Sequence, residues 1–141
     1  MTKHVKVTIH SVQTQSGEKH EMHALHKGQY FFRGGYHYVL YEENEEGTSN
    51  VIRNRLKFSK QMLEVSKKGT YASQMRFESG KSHQTLYHTP FGKIPLGMTT
   101  RDYSLSEDQS DVLCVNLCYD MSADQGHLAS CRMEIRIDGD T

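Results

Sequence analysis

Near the C-terminus, apolar and polar residues alternate with a period of two. Leu113, Val115, Leu117, Tyr119 and Met121 alternate with Cys114, Asn116, Cys118 and Asp120. Beyond Asp124-Gln125-Gly126, the residues Ala129, Cys131, Met133, Ile135 and Ile137 oppose Ser130, Arg132, Glu134, Arg136 and Asp138. Successive side chains of a strand face opposite ways, so this pattern demands strands buried on one side only. The glycine between the two runs makes them an antiparallel hairpin with one wet face.

The same period recurs upstream. Val5, Val7 and Ile9 alternate with Lys6, Thr8 and His10. Turn residues Gln15-Ser16-Gly17 lead into a polar strand over 19–26, and a turn is expected at Lys27-Gly28 before Tyr30-Phe31-Phe32. Arg33-Gly34-Gly35 is a hairpin signal, followed by an aromatic strand over 36–43 and an acidic loop over 42–50. Ile52, Asn54, Leu56 and Phe58 share a face against Arg53, Arg55 and Lys57. Shorter strands follow over 62–66, 71–78 and 84–89, then one from Ile94 to Thr100. No segment longer than two helical turns shows a 3.6-residue period. Four alanines against 36 Val, Ile, Thr, Tyr and Phe fit that reading.

Eight to ten strands joined by short turns predict an all-β fold, an antiparallel up-and-down β-barrel forming one domain over 1–141. A sandwich would need Greek-key crossovers, for which most turns are too short. Closure also removes edges that would otherwise aggregate. Leu, Ile, Val and Phe number only 28 of 141, close to the disorder boundary, but the net charge is zero and disorder needs a large one. The apolar shortage falls on outward positions such as Arg53-Arg55-Lys57, as a sheet with one wet face requires. Asn54, Ser73 and Thr100 are polar residues on the inward parity; they need either solvent at a barrel end or a polar cavity.

Several function classes are disfavoured. Balanced charge predicts no nucleic-acid partner, and no stretch is apolar enough to span a membrane. Three cysteines with no apolar leader predict a cytoplasmic protein with reduced thiols. Cys114 and Cys118 are too far apart along a strand for a disulfide or a shared metal. His20, His23 and His26 cannot converge on a strand, because His23 faces away from the other two. The nine histidines, His4 and His10 included, are therefore expected to be scattered and solvated, with no metal site and no cofactor. No catalytic motif is present.

One segment stands apart from the regular meander: Tyr87-His88-Thr89-Pro90-Phe91-Gly92. The proline must sit at a strand end or bulge, and Gly92 is expected in a conformation other residues avoid. This segment, with Phe77-Glu78-Ser79-Gly80 before it, resembles the Tyr-x-Thr-Pro-aromatic-Gly signature of the uncharacterised bacterial YwiB-like family. Val5-Lys6-Val7, Ser11-Val12-Gln13-Thr14, Tyr41-Glu42-Glu43 and Gly47-Thr48 fit as well. The resemblance implies a calycin- or lipocalin-like barrel and brings no catalytic residues with it.

A barrel of this kind has room for one small apolar or amphipathic ligand. The expected ligand residues are Tyr36, Tyr38 and Tyr41 along one wall, Tyr87, His88, Thr89, Pro90 and Phe91 at the mouth, and Arg76 and Glu78 nearby. Which tyrosine parity faces inward is open at this level. A filled-core structural or interaction barrel is the alternative. An enzyme would have to use Arg76, Glu78, Tyr87 or His88. Calycin-like barrels can also house haem, for which His88 would be the axial ligand.

Overall fold

Alternation of this quality pairs each strand with its sequence neighbour. A computed structural model, describing residues 3–45, 47–89, 91–124 and 126–140, shows the result. The strands are β1 (His4–Gln15), β2 (Glu18–Arg33), β3 (Tyr36–Asn44), β4 (Val51–Phe58) and β5 (Met62–Lys68). They continue as β6 (Ala72–Glu78), β7 (Ser82–Thr89), β8 (Gly92–Gln109), β9 (Val112–Ala123) and β10 (Gly126–Gly139). All belong to one antiparallel sheet in the order β6-β5-β4-β3-β2-β1-β10-β9-β8-β7. β1 pairs with β10, which brings the chain ends together in the middle of the sheet.

The sheet curls until its two edges nearly meet. Gly80 N donates to Thr100 O at 2.8 Å, Thr100 N to Lys81 O at 3.0 Å, and Thr85 Oγ1 to Gln74 O at 2.7 Å. The first two tie the β6–β7 connection to β8 and the third crosses from β7 to β6 without a regular ladder, and the barrel is nearly closed.

Inward side chains merge into one core running from Val5, Val7 and Val39 through Leu56, Phe58 and Leu63 to Leu117, Ile135 and Ile137. Phe77 on β6 meets Tyr119 on β9 with ring centroids 4.8 Å apart, so side chains from the two sides of the seam touch. One barrel end is plugged. Tyr30 Oη lies 2.7 Å from His37 Nδ1, and His37 Nε2 lies 2.8 Å from Glu107 Oε1. That chain joins β2 and β3 to β8 on the opposite wall. Beside it, Tyr103 Oη donates to the carbonyls of Ser59 and Met62 at 2.7 and 2.9 Å.

Two expectations about strand boundaries change. Lys27-Gly28 is not a turn: β2 runs through it, pairing with β1 up to Gln29 and with β3 from Gly28. A Cβ on Gly28 would sit 2.8 Å from Leu40 O, so the glycine is there for close strand approach. β8 likewise extends well past Thr100. A bulge at Arg101 switches its inward parity from Met98 and Thr100 to Tyr103 and Leu105, which hides the strand from a period-two reading. The Pro90 corner falls outside the described residues, but Gly92 has φ of 127°, as its position required.

Candidate functional site

A concavity lies on the outer face, lined by residues of β2 to β6. It encloses about 780 Å³. Cross-strand register builds its wall. Gln29, Leu40, Arg55, Ser66 and Gln74 form one row across β2 to β6. Glu42, Arg53 and Lys68 form the next, with Lys27 and His4 at the border. Four cations (Lys27, Arg53, Arg55 and Lys68) thus face one carboxylate, Glu42.

Their pairing is unusual for a stable sheet. Arg53 stands directly opposite Lys68, and Lys27 directly opposite Lys6 on β1. Like charges opposed across strands are destabilising. Arg55 is bonded to Glu64 at 3.0 Å, but Lys27, Arg53 and Lys68 have no ion-pair partner among the described residues. A neighbouring row is aromatic: Phe31 stacks on Tyr38 at 4.7 Å, and Lys57 Nζ sits 4.4 Å over the Tyr36 ring.

The residues singled out from the sequence do not form one site. Tyr36 and Tyr38 face outward beside Lys57, while Tyr41 is buried inward and stacks on His26 at 4.6 Å. Arg76 and His88 border a smaller groove of about 460 Å³ along the β6–β7 seam. Glu78 bonds Arg76 at 2.7 Å and Lys81 at 3.1 Å. Hydrogen bonds from Lys81 and Arg76 hold its carboxyl below the usual range, suiting an anchoring role better than proton transfer. Tyr87 and Phe91 are exposed, His88 stacks on Tyr71 at 5.2 Å, and Thr89 closes β7 opposite Gly92. Pro90 lies outside the described residues. Sequence reasoning missed the groove because its cations come from three strands and converge only through register.

The inward polar positions separate as well. Asn54 and Thr100 are buried, each with an oxygen that lacks a hydrogen-bond partner among the described residues, whereas Ser73 is half-buried. Asn54 Nδ2 donates to Glu43 Oε1 at 3.0 Å, and Lys67 Nζ lies 3.3 Å from the same oxygen. Burial pushes the Glu43 carboxyl up, but these contacts outweigh it and leave the group below its ordinary value.

Burial pushes the Tyr41 phenol up to about 12, with Glu43 adding to the shift, and also raises Tyr103 and Tyr119. The unfolded phenol titrates near ~10. Raised folded values mean that this stability is fully present below pH ~10 and is lost as pH climbs through the folded values. Alkaline titration should therefore unfold the protein cooperatively, with circular dichroism changing together with the final step of tyrosinate absorbance, in which the buried phenols ionise. Complete tyrosine ionisation near pH ~10 in a still-folded chain would contradict the burial.

The strand order and the core of inward side chains define a nearly closed, lipocalin-like antiparallel barrel. The chain belongs to a family defined by a domain of unknown function (DUF1934), which matches residues 7–135. It is similar to the crystal structure of the ywiB protein from Bacillus subtilis, with a TM-score of 0.85 and 21% identity. That match covers 99% of this chain and 93% of the other. No curated protein matches the sequence. Among the described residues, no helix is long and apolar enough to cross a membrane.

Proposed function

We propose that this is a non-catalytic binding barrel that takes a phosphate-bearing ligand in its outer groove. The opposed pair Arg53 and Lys68 carries the reading. Like charges facing each other across β4 and β5 cost the sheet stability, with only Glu42 on the other side of Arg53 to offset it, and an anion between them reverses that cost. The core supports the same choice, because large inward side chains such as Phe58, Leu63, Phe77 and Leu117 pack together inside the barrel. The three free cysteines support a reducing cytoplasm as the setting.

Calorimetric titration with sodium tripolyphosphate tests the groove. Binding should weaken steeply as salt is raised from about 50 to about 200 mM, and should disappear in the Arg53→Ala/Lys68→Ala variant. Equal binding by that variant, or none by the unaltered protein, would overturn the proposal. A short oligothymidylate forms the second arm. Tighter binding than tripolyphosphate, with dependence on Phe31 and Tyr38, would assign the phosphates to single-stranded nucleic acid.

A second reading rests on a different surface. At the β7–β8 hairpin, Tyr87 and Ile94 are exposed and stand directly opposite each other. An apolar cross-strand patch on a projecting hairpin suits a protein contact. Sedimentation should show concentration-dependent self-association that the Tyr87→Ser/Ile94→Ser variant abolishes; a monomer at all concentrations would remove this reading.

A further inference from the structure

We propose that His10, Glu21 and His23 form a binding site for a divalent transition-metal ion of the zinc class, on the outer face of the β1–β2 hairpin. This site is separate from the groove and does not depend on the reading given to it. The two-residue turn Ser16-Gly17, both in the left-handed region, pairs Gln15 with Glu18. Counting back along that ladder sets His10 directly opposite His23 and Val12 opposite Glu21. His23 and Glu21 are two apart on β2 and share its face.

The two ring nitrogens meet at one carboxylate oxygen. The imidazoles are parallel, with centroids 4.1 Å apart and planes 7° apart. His10 Nε2 lies 2.8 Å and His23 Nε2 3.0 Å from the same oxygen, Glu21 Oε1. All three ligand atoms lie within 4.8 Å of one another. Ligands 2.0–2.2 Å from a zinc-class ion are separated by roughly 3.0–3.5 Å, so the cluster needs a small opening and a tilt of the two stacked rings that turns both Nε2 lone pairs towards the ion. Glu21 is exposed and can retreat by that amount. With each ring hydrogen on Nδ1, both Nε2 lone pairs and the carboxylate oxygen are available together.

The donor set decides the class of ion. Two imidazoles and one carboxylate suit zinc, nickel or copper, whereas magnesium and calcium prefer oxygen donors alone. The side chains of His10, Glu21 and His23 are 39%, 57% and 66% exposed, so an ion can enter from solvent and keep water on its remaining positions. A pair of mutually stacked histidines sharing one carboxylate departs from the scattered, solvated histidines that strand parity alone predicted.

The test is a zinc chloride titration of the full chain by calorimetry, with histidine ring resonances followed by NMR. One ion should bind per chain, shifting the His10 and His23 rings first. His10→Ala and His23→Ala should each weaken binding at least about 10-fold, and Glu21→Gln should weaken it as well. All three side chains are exposed, so thermal melts of the variants should match the unaltered protein. A His20→Ala/His127→Ala control should bind as the unaltered protein does, and magnesium chloride should move neither ring. Unchanged zinc affinity in the His10→Ala/His23→Ala variant, or first shifts at other histidines, would overturn the site.

Discussion

Phe77→Ala should lower the unfolding free energy by about 3–5 kcal/mol. Phe77 is fully buried, lies opposite Leu63 in the β5–β6 ladder, and packs on Tyr119 of β9. Truncation therefore removes a contact spanning the β6–β7 seam, where backbone hydrogen bonding is sparse. Walls fixed by continuous ladders on either side cannot collapse into the space, so the cavity persists and its cost adds to lost burial. Urea unfolding measures the change. Phe91→Ala is the contrast, because Phe91 is 99% exposed and its loss should stay within about 0.5 kcal/mol. A Phe77→Ala change below about 1 kcal/mol would mean that the seam is held without the core.

The second large effect separates stability from binding. Lys68→Glu puts a carboxylate directly opposite Arg53, turning a repulsive cross-strand pair into an attractive one. Stability should rise by about 0.2–1 kcal/mol. Tripolyphosphate affinity should fall roughly 10- to 100-fold, because a charged hydrogen bond is lost and a repulsive charge added. Opposite signs in the two measurements distinguish a groove kept for a ligand from a merely solvated basic face. A variant that is more stable and binds equally well would contradict the groove assignment.

Most of the architecture was legible because half-buried strands write their faces into the sequence. The runs Leu113–Met121 and Ala129–Ile137 occupy β9 and β10, with the inward residues anticipated. Legibility failed where a strand breaks its own period or carries a glycine for another reason. The bulge at Arg101 transfers inward positions to Tyr103 and Leu105, and Gly28 answers the approach of Leu40 rather than a turn. The ambiguity between the tyrosine parities resolves through burial: Tyr41 joins the core with Val39, and Tyr36 and Tyr38 stay outside with Lys57.

Sites were less legible because they depend on which strands are neighbours and in which register. The Arg53–Lys68 opposition follows from the β4–β5 ladder and cannot be seen within either strand alone. His10 and His23 are different, since the two-residue turn at Ser16-Gly17 fixes their register and could have been counted from the sequence. The Tyr30–His37–Glu107 plug lies beyond any such count: its members meet across the barrel end, 70 residues apart for His37 and Glu107.

Amide and side-chain NMR shifts during tripolyphosphate titration test most directly whether recognition takes place outside a filled barrel. The outward residues Gln29, Leu40, Arg53, Arg55 and Lys68 should shift together and saturate together. The core methyl groups of Val7, Leu117 and Ile135 should stay in place. Saturable shifts confined to those core methyls, with the groove silent, would contradict the account.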